Sequence, residues 1–415
     1  MNLFLEPETV ALIGASGKHL RPGHHLFLNL RICFGDRFYP VNPRSDRIED
    51  TPCYESILEV PSKVDVAVVF IPAGQVPHAL ADCARKGVRR VIIESAGFAE
   101  IGAAGRALQD RCVSIAREAG MRLWGPNCMG AINVRQNKVL SFMHLKLWQG
   151  RFVPGSVALV VQSGMLSAGF LTHMLTRMPF GLSKVCSIGN KADVDEVDLL
   201  EYLLEDPETG VIAMYAESIP RGRRFFDLVR SARKPVVVLK SGRSSFGLQA
   251  AASHTAALAQ DDRVLNAALR QAGGIRVRGM AELLDVARSL ALSQAPRRNP
   301  GDRVAVLTFS GGGGVVSSDD MADLEMRLAS FEPATVSALK TVFPDWMEPL
   351  NPVDLYPALE KHGHTKTYRT AVEAVMSDPG VDAVYTHLFT PLAGVASFDF
   401  DHMAEMSRKH RKPLV

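Results

Sequence analysis

Val157-Ala158-Leu159-Val160-Val161-Gln162-Ser163-Gly164 contains the fold in miniature. A short apolar run suits one strand buried on both faces, the Gln-Ser-Gly turn stops it, and the residues that follow can coil into a helix. The pattern occurs twice more. Val10-Ala11-Leu12-Ile13 runs into Gly14-Ala15-Ser16-Gly17, and Val304-Ala305-Val306-Leu307 runs into Ser310-Gly311-Gly312-Gly313-Gly314. Val157 lies 147 positions after Val10, and Val304 lies 147 after Val157. Such even spacing predicts three tandem α/β units of similar size.

Working outward, each unit continues with further buried-strand runs alternating with helix-length amphipathic segments, the pattern of parallel sheets covered on both faces. Asp65 to Ile71, Val88 to Glu94 and a short strand before Gly125-Pro126-Asn127 belong to the first unit. Leu182 to Ile188, Val211 to Ala216 and Pro235 to Lys240 belong to the second, and Asp382 to His387 to the third. Clusters of Pro, Gly and polar residues over 135–155 and 293–300 mark the boundaries, giving expected domains at 1–135, 150–293 and 301–415. Arg411-Lys412-Pro413-Leu414-Val415 repeats the way Arg233-Lys234-Pro235-Val236-Val237 introduces a strand, so the third domain is expected to belong to a longer protein.

Composition narrows the function. With 47% hydrophobic and 22% charged residues in 415, the chain can bury a real core, which excludes a disordered chain, a coiled coil and a collagen-like repeat. The 47 Lys+Arg and 44 Asp+Glu are scattered, so a nucleic-acid partner is not expected. No uninterrupted apolar stretch reaches the ~20 residues of a membrane span, and Met1 to Val10 carries no secretion signal. A cytoplasmic protein with no membrane partner is expected. Cys33, Cys53, Cys83, Cys112, Cys128 and Cys186 lie far apart without a Cys-x-x-Cys pair, so neither structural zinc nor another bound metal is expected in this chain.

The turns carry the candidate chemistry. A strand that ends in small residues before a helix start offers backbone N–H groups and the positive end of the helix dipole to an anion. Gly14-Ala15-Ser16-Gly17 has this form without the full G-x-G-x-x-G fingerprint, and Ser163-Gly164 and Gly311-Gly312-Gly313 are two further candidates. After the second strand, where an NAD site places an acidic residue, the chain reads Tyr39-Pro40-Val41-Asn42-Pro43-Arg44; Arg44 suits a phosphorylated ribose, as in coenzyme A or NADP. No G-x-x-x-x-G-K-[ST] loop for ATP occurs.

An ordered set of strings extends these turns: Ile71-Pro72-Ala73, Ser95-Ala96-Gly97-Phe98, Gly125-Pro126-Asn127-Cys128, Gln162-Ser163-Gly164, Gly189-Asn190-Lys191, Tyr215-Ala216-Glu217, Ser253-His254-Thr255 and Asn351-Pro352-Val353-Asp354. With them the chain resembles, along essentially its whole length, the ADP-forming acyl-CoA synthetases, the acetate–CoA ligase group related to succinyl-CoA synthetase. The resemblance implies a Rossmann-like CoA-binding domain followed by two flavodoxin-like succinyl-CoA-ligase-type domains. It implies a ligase that converts a carboxylic acid, CoA and ATP to acyl-CoA, ADP and phosphate through an acyl phosphate and a phosphohistidine at His254. Glu217 matches the carboxylate that holds the imidazole. Ser163, Gly164, Gly311, Gly312 and Gly313 match helix starts that face the phosphoryl group. Gly14, Ala15, Ser16, Gly17, Asn42, Arg44, Pro72, Ser95, Ala96, Gly97 and Asn127 match CoA-binding positions. ATP or ADP with Mg is then handled by an ATP-grasp domain or β subunit outside this chain, and an oligomer is expected. Two other readings stay open: a CoA-sensing synthetase-like module of a larger protein such as an acetyltransferase fusion, and an NADP-dependent oxidoreductase built on the first domain.

Overall fold

The structure is a computed structural model that describes residues 1–19, 21–176, 180–244, 246–247, 261–292, 301–388 and 398–415. These residues form two compact units, Met1–Ala291 and Leu292–Val415. Each is α/β, as the apolar runs predict, and among the described residues no helix is long and apolar enough to cross a membrane.

The first unit holds two main sheets and a small antiparallel ribbon of Arg47–Ile48 with Thr51–Pro52. Strands β1 (Val10–Ile13), β2 (Phe38–Val41), β3 (Val66–Val69), β4 (Arg90–Ile93) and β5 (Arg122–Trp124) form a five-stranded, wholly parallel sheet in the order β2-β1-β3-β4-β5. The chain leaves β1 for one neighbour and returns to the other, so the crevice between the ends of β1 and β3 is a topological switch point, where open α/β sheets bind ligands. The first turn does not feed its helix directly: the helix begins only at Pro22.

The second sheet has seven strands. They are β6 (Ala131–Asn133), β7 (Lys138–Leu140), β8 (Pro154–Val161), β9 (Leu182–Ser187), β10 (Val211–Ala216), β11 (Val236–Lys240) and β12 (Ile275–Val277), in the order β12-β11-β10-β8-β9-β6-β7. Five are parallel; β6 and β7 form an antiparallel hairpin that joins the edge of β9, pairing Lys184 with Asn133 and Cys186 with Ala131. The sequence reading placed this stretch at the end of the first domain and in the connection after it, yet its strands belong to the second sheet.

Alternation explains why β8 reads as a continuous apolar run. Ala158 and Val160 pack into one core, Val157, Leu159 and Val161 into another, and all five are at most 1% exposed. The core under Ala158 and Val160 also contains Val10, Leu12, Val68 and Ile92, so the two sheets of this unit share a hydrophobic interior. At 25 cal/mol per Å² of apolar surface, each such buried Val or Leu contributes about 1.5–3 kcal/mol against its entropy of ordering.

The second unit is built around β13 (Arg303–Thr308), which pairs in parallel with β14 (Arg327–Leu328), β15 (Val353–Asp354) and β16 (Ala383–Thr386). It has its own core, with Leu307, Tyr368, Val372 and Val375 all at most 1% exposed.

Candidate active site

Because all five strands of the first sheet are parallel, their C-terminal ends open on one edge, and the residues after them collect there. Gly14 follows β1 with φ +97°, and a Cβ at that position would run into the Phe70 carbonyl oxygen, so glycine is required for the turn to close against the end of β3. The Gly14 and Ala15 amides donate to the Val41 carbonyl at 3.0 and 3.3 Å, and Asn42 Nδ2 donates to the Ala15 carbonyl at 2.8 Å. Two amides of the expected anion-binding turn are therefore engaged within the fold. Arg44, two residues beyond Asn42, is exposed, with its backbone amide donating to Asn42 Oδ1 at 2.9 Å.

A cleft of about 850 Å³ runs from this edge toward the second sheet of the same unit. Pro72 after β3, Ser95 and Ala96 after β4, and Asn127 after β5 line one part of it; Ser163 and Gly164 after β8 and Glu217 after β10 line another. Seven of the residues singled out from the sequence thus face one space. Gly14, Ala15, Ser16, Gly17, Asn42, Arg44 and Gly97 lie at the same edge of the first sheet without lining the cleft. Gly311, Gly312 and Gly313 belong to the second unit. His254 and its string over 253–258 lie outside the described residues.

Hydrogen bonds fix these loops. Ser95 Oγ accepts from the Ile71 amide at 3.1 Å, and the Ser95 carbonyl accepts from the Asn127 amide at 2.9 Å, which ties the ends of β3, β4 and β5 together. Glu100 accepts from the Gly97 amide and from Asn190 Nδ2, both at 2.6 Å, while Asn127 Nδ2 donates to Asn190 Oδ1 at 3.3 Å. Burial pushes the Glu100 carboxyl up, but the hydrogen bonds from Asn190 and the Gly97 amide win and hold it below the usual carboxylate range. It therefore serves as an ionised acceptor bracing the loop after β4 against residue 190.

On the other side, buried Gln162 presents Oε1 to the amides of Glu217 and Ser218 at 2.8 and 3.2 Å. This bond joins the turn after β8 to the turn after β10 and holds Glu217 beside the helix Gly164–Thr176, whose first turn is capped weakly by Ser163 Oγ accepting from Leu166 N at 3.5 Å. Glu217 is 8% exposed, and Tyr215 Oη donates to its Oε1 at 3.4 Å. A buried carboxylate next to a helix start can orient a cationic imidazole while the helix dipole meets an anion.

The second unit repeats the device. Ser310 Oγ accepts from the Gly313 amide at 3.2 Å at the head of the helix Gly311–Asp323. His387 is held beneath it, Nδ1 3.2 Å from Thr308 Oγ1 and Nε2 3.2 Å from Ser317 Oγ.

Comparison with known proteins gives this geometry a family. Residues 8–133 match the family model described as CoA binding domain, and residues 154–290 the one described as succinyl-CoA ligase like flavodoxin domain. The chain is 36% identical over 393 residues to acetate–CoA ligase [ADP-forming] II subunit alpha of Pyrococcus furiosus, covering 94% of this chain and 83% of that protein. This chain belongs to the ADP-forming acetate–CoA ligase family. To another member, acetate–CoA ligase [ADP-forming] II of Archaeoglobus fulgidus, it is 38% identical over 410 residues, 98% of this chain but 60% of the relative. Among solved structures it is similar to the dinucleotide-forming acetyl-coenzyme A synthetase 1 of Ca. Korarchaeum cryptofilum in complex with phosphate and ADP. The TM-score is 0.86 and the identity 30%, with 100% of this chain and 87% of the other covered. The fold and family expected from the ordered strings are both borne out.

Sequence reasoning passed over one group that lines the ligase-family cleft. Glu94, the residue after β4, is 3% exposed and faces the cleft with Cys128 and Phe142. Gln162 was visible as part of a string but not as the clamp between the two turns.

Proposed function

We propose that this chain carries the acyl-CoA and phosphate half of an acid–CoA ligase, in which a carboxylic acid, CoA and ATP give acyl-CoA, ADP and phosphate. The observation that supports it best is the single cleft lined by residues from both expected sites, Ser95 and Asn127 on the CoA side and Ser163, Gly164 and Glu217 on the phosphoryl side.

In this reading phosphate oxygen attacks the thioester carbonyl, CoA leaves as thiolate and takes up a proton, and an acyl phosphate results. A nitrogen of His254 then attacks phosphorus, the P–O bond to the acyl group breaks, and the carboxylate is released. Glu217 accepts the N–H on the far side of the ring, fixing the tautomer and stabilising the charge that forms. The amides at Ser163–Gly164 meet phosphoryl oxygens, at up to about 3 kcal/mol per well-placed donor in a dry site, and phosphate binding is the role assigned to those at Gly311–Gly313 in the second unit. Gly14 to Gly17, Asn42, Arg44, Pro72, Ser95 to Gly97 and Asn127 hold CoA, Arg44 supplying a charge for a phosphate. An ATP-grasp domain or subunit, with Mg, exchanges the phosphoryl group between His254 and ADP.

The test needs no nucleotide. The purified chain is incubated with inorganic phosphate and a panel of acyl-CoAs, and its intact mass is measured. One added phosphoryl group that is labile in acid and missing in His254→Ala is expected; a wild-type chain that binds CoA yet gains no phosphoryl group from any thioester rejects the mechanism.

A further inference from the structure

Glu94 is the group in the cleft that the phosphoryl chemistry does not use. Its carboxyl is buried and faces the cleft, and among the described residues neither oxygen has a hydrogen-bond partner. Close packing holds it there. A Cβ at Gly130, where φ is +72°, would lie 2.5 Å from Glu94 Oε1 and would also strike the Leu140 carbonyl oxygen, so only glycine leaves room for the carboxyl.

Phe70, Cys128, Met129 and Phe142 line the same cleft as Glu94, and the Cys128 thiol is itself turned to the Ile93 carbonyl at 3.4 Å. Burial pushes the Glu94 carboxyl well above the usual carboxylate range, the Phe142 backbone amide offsetting part of that without closing a hydrogen bond. The neutral carboxyl that burial favours has one O–H to donate and a carbonyl oxygen to accept. Left unpaired, such a buried group forgoes the hydrogen bonds it makes in water, at a cost in free energy. A ligand group that both donates and accepts recovers that cost, whereas a methyl group does not.

Position decides which part of a ligand meets it. Met129 abuts the helix start: a Cβ on Gly164 would lie 3.4 Å from Met129 Cγ. Glu94 packs at Gly130, the next residue, and lines the cleft together with Ser95 on the CoA side and Ser163 and Gly164 on the phosphoryl side, which places its carboxyl to meet the acyl group that passes between them.

Resting on the ligase reading, we propose that Glu94 is a specificity residue for the acyl chain, and that the acids preferred by this protein carry a hydroxyl group that pairs with the Glu94 carboxyl. A site built to pair with a hydroxyl discriminates strongly against the analogue that lacks it, because its own polar group is then left stranded.

The experiment uses the chain together with its nucleotide-handling partner and measures kcat/KM for thioester formation from paired acids. 3-Hydroxybutanoate, 4-hydroxybutanoate and 5-hydroxypentanoate are each compared with the acid bearing methyl in place of hydroxyl, and acetate is included. At least one hydroxy acid is expected to exceed its methyl counterpart by tenfold or more. Glu94→Gln, which still donates and accepts, keeps that ratio; Glu94→Met collapses it toward one. A thermal melt controls for folding, and Glu94→Met is expected to melt no lower than wild type because it removes an unpaired buried polar group. Equal turnover of every pair by wild type, or a ratio that survives Glu94→Met, overturns the assignment and leaves the ligase reading standing. Thioester from no acid at all overturns both.

Discussion

Glu217 shows how one side chain can depend on the turn after a neighbouring strand. Its place beside the helix start is set by Gln162 Oε1, which accepts from the amides of residues 217 and 218, so the carboxylate is delivered by backbone geometry. Glu217→Gln keeps the shape but loses the charge that steadies an imidazolium, and the rate of phosphoryl incorporation from acyl-CoA and phosphate is expected to fall about 10²-fold or more. CoA affinity, measured by calorimetry, is expected to stay within a factor of three of wild type; a full rate in the variant would remove Glu217 from the mechanism. At this scale the sequence was informative where a motif is local and silent where a partner is remote. Gly14-Ala15-Ser16 can be read as a turn because glycine and small residues follow an apolar run. Glu94 cannot be read as a buried acid, because what buries it is Cys128 to Gly130 and Phe142, brought in from the following strands.

At the scale of elements, β9 carries a charge into the interior. Lys184 is fully buried, and its Nζ reaches Asp206 Oδ2 at 2.8 Å and Glu208 Oε2 at 2.7 Å. Burial pushes the lysine down, but the two carboxylates win and hold it above its ordinary value, while Asp206 is driven up by burial and, more strongly in sum, down by Lys184 and Thr209. A carboxyl depressed in the folded state contributes stability that is complete above its ordinary 3.8 and is lost as pH falls through the lower folded value. Lys184→Met strands Asp206 and is expected to cost about 3 kcal/mol in urea unfolding at pH 7, with a shallower loss between pH 4 and pH 2 than wild type. An unchanged midpoint would mean that Asp206 finds its charge balance elsewhere. The strands themselves were legible where both faces are buried, as in β8, since burial on both sides leaves an unbroken apolar run. The β6–β7 hairpin was not. Its strands are three residues each, with Asn133 at the end of one and Lys138 at the start of the other, too short and too polar at the ends to stand out from a connection.

For the whole molecule, the two units have separate cores, and their stabilities can be probed one at a time. Val375 is fully buried among Leu307, Tyr368 and Val372 of the second unit, so Val375→Ala is expected to cost about 2 kcal/mol there. Hydrogen exchange followed by mass spectrometry is expected to show faster exchange in peptides from 301–388 and unchanged rates in peptides from 1–176; equal acceleration in both would mean that the chain opens as one body. The first unit resists such separation for a reason visible in its hairpin. The family match for CoA binding ends at residue 133, inside the hairpin, while β6 is paired with β9 of the following domain and Asn133 Nδ2 donates to the Leu5 carbonyl at 3.3 Å. A splice at that boundary would carry β6 away with the wrong partner and leave the edge of β9 bare. The two domains are thus poor candidates for exchange as cassettes: a viable chimera has to be joined before residue 131, taking the hairpin from the same parent as the sheet it completes.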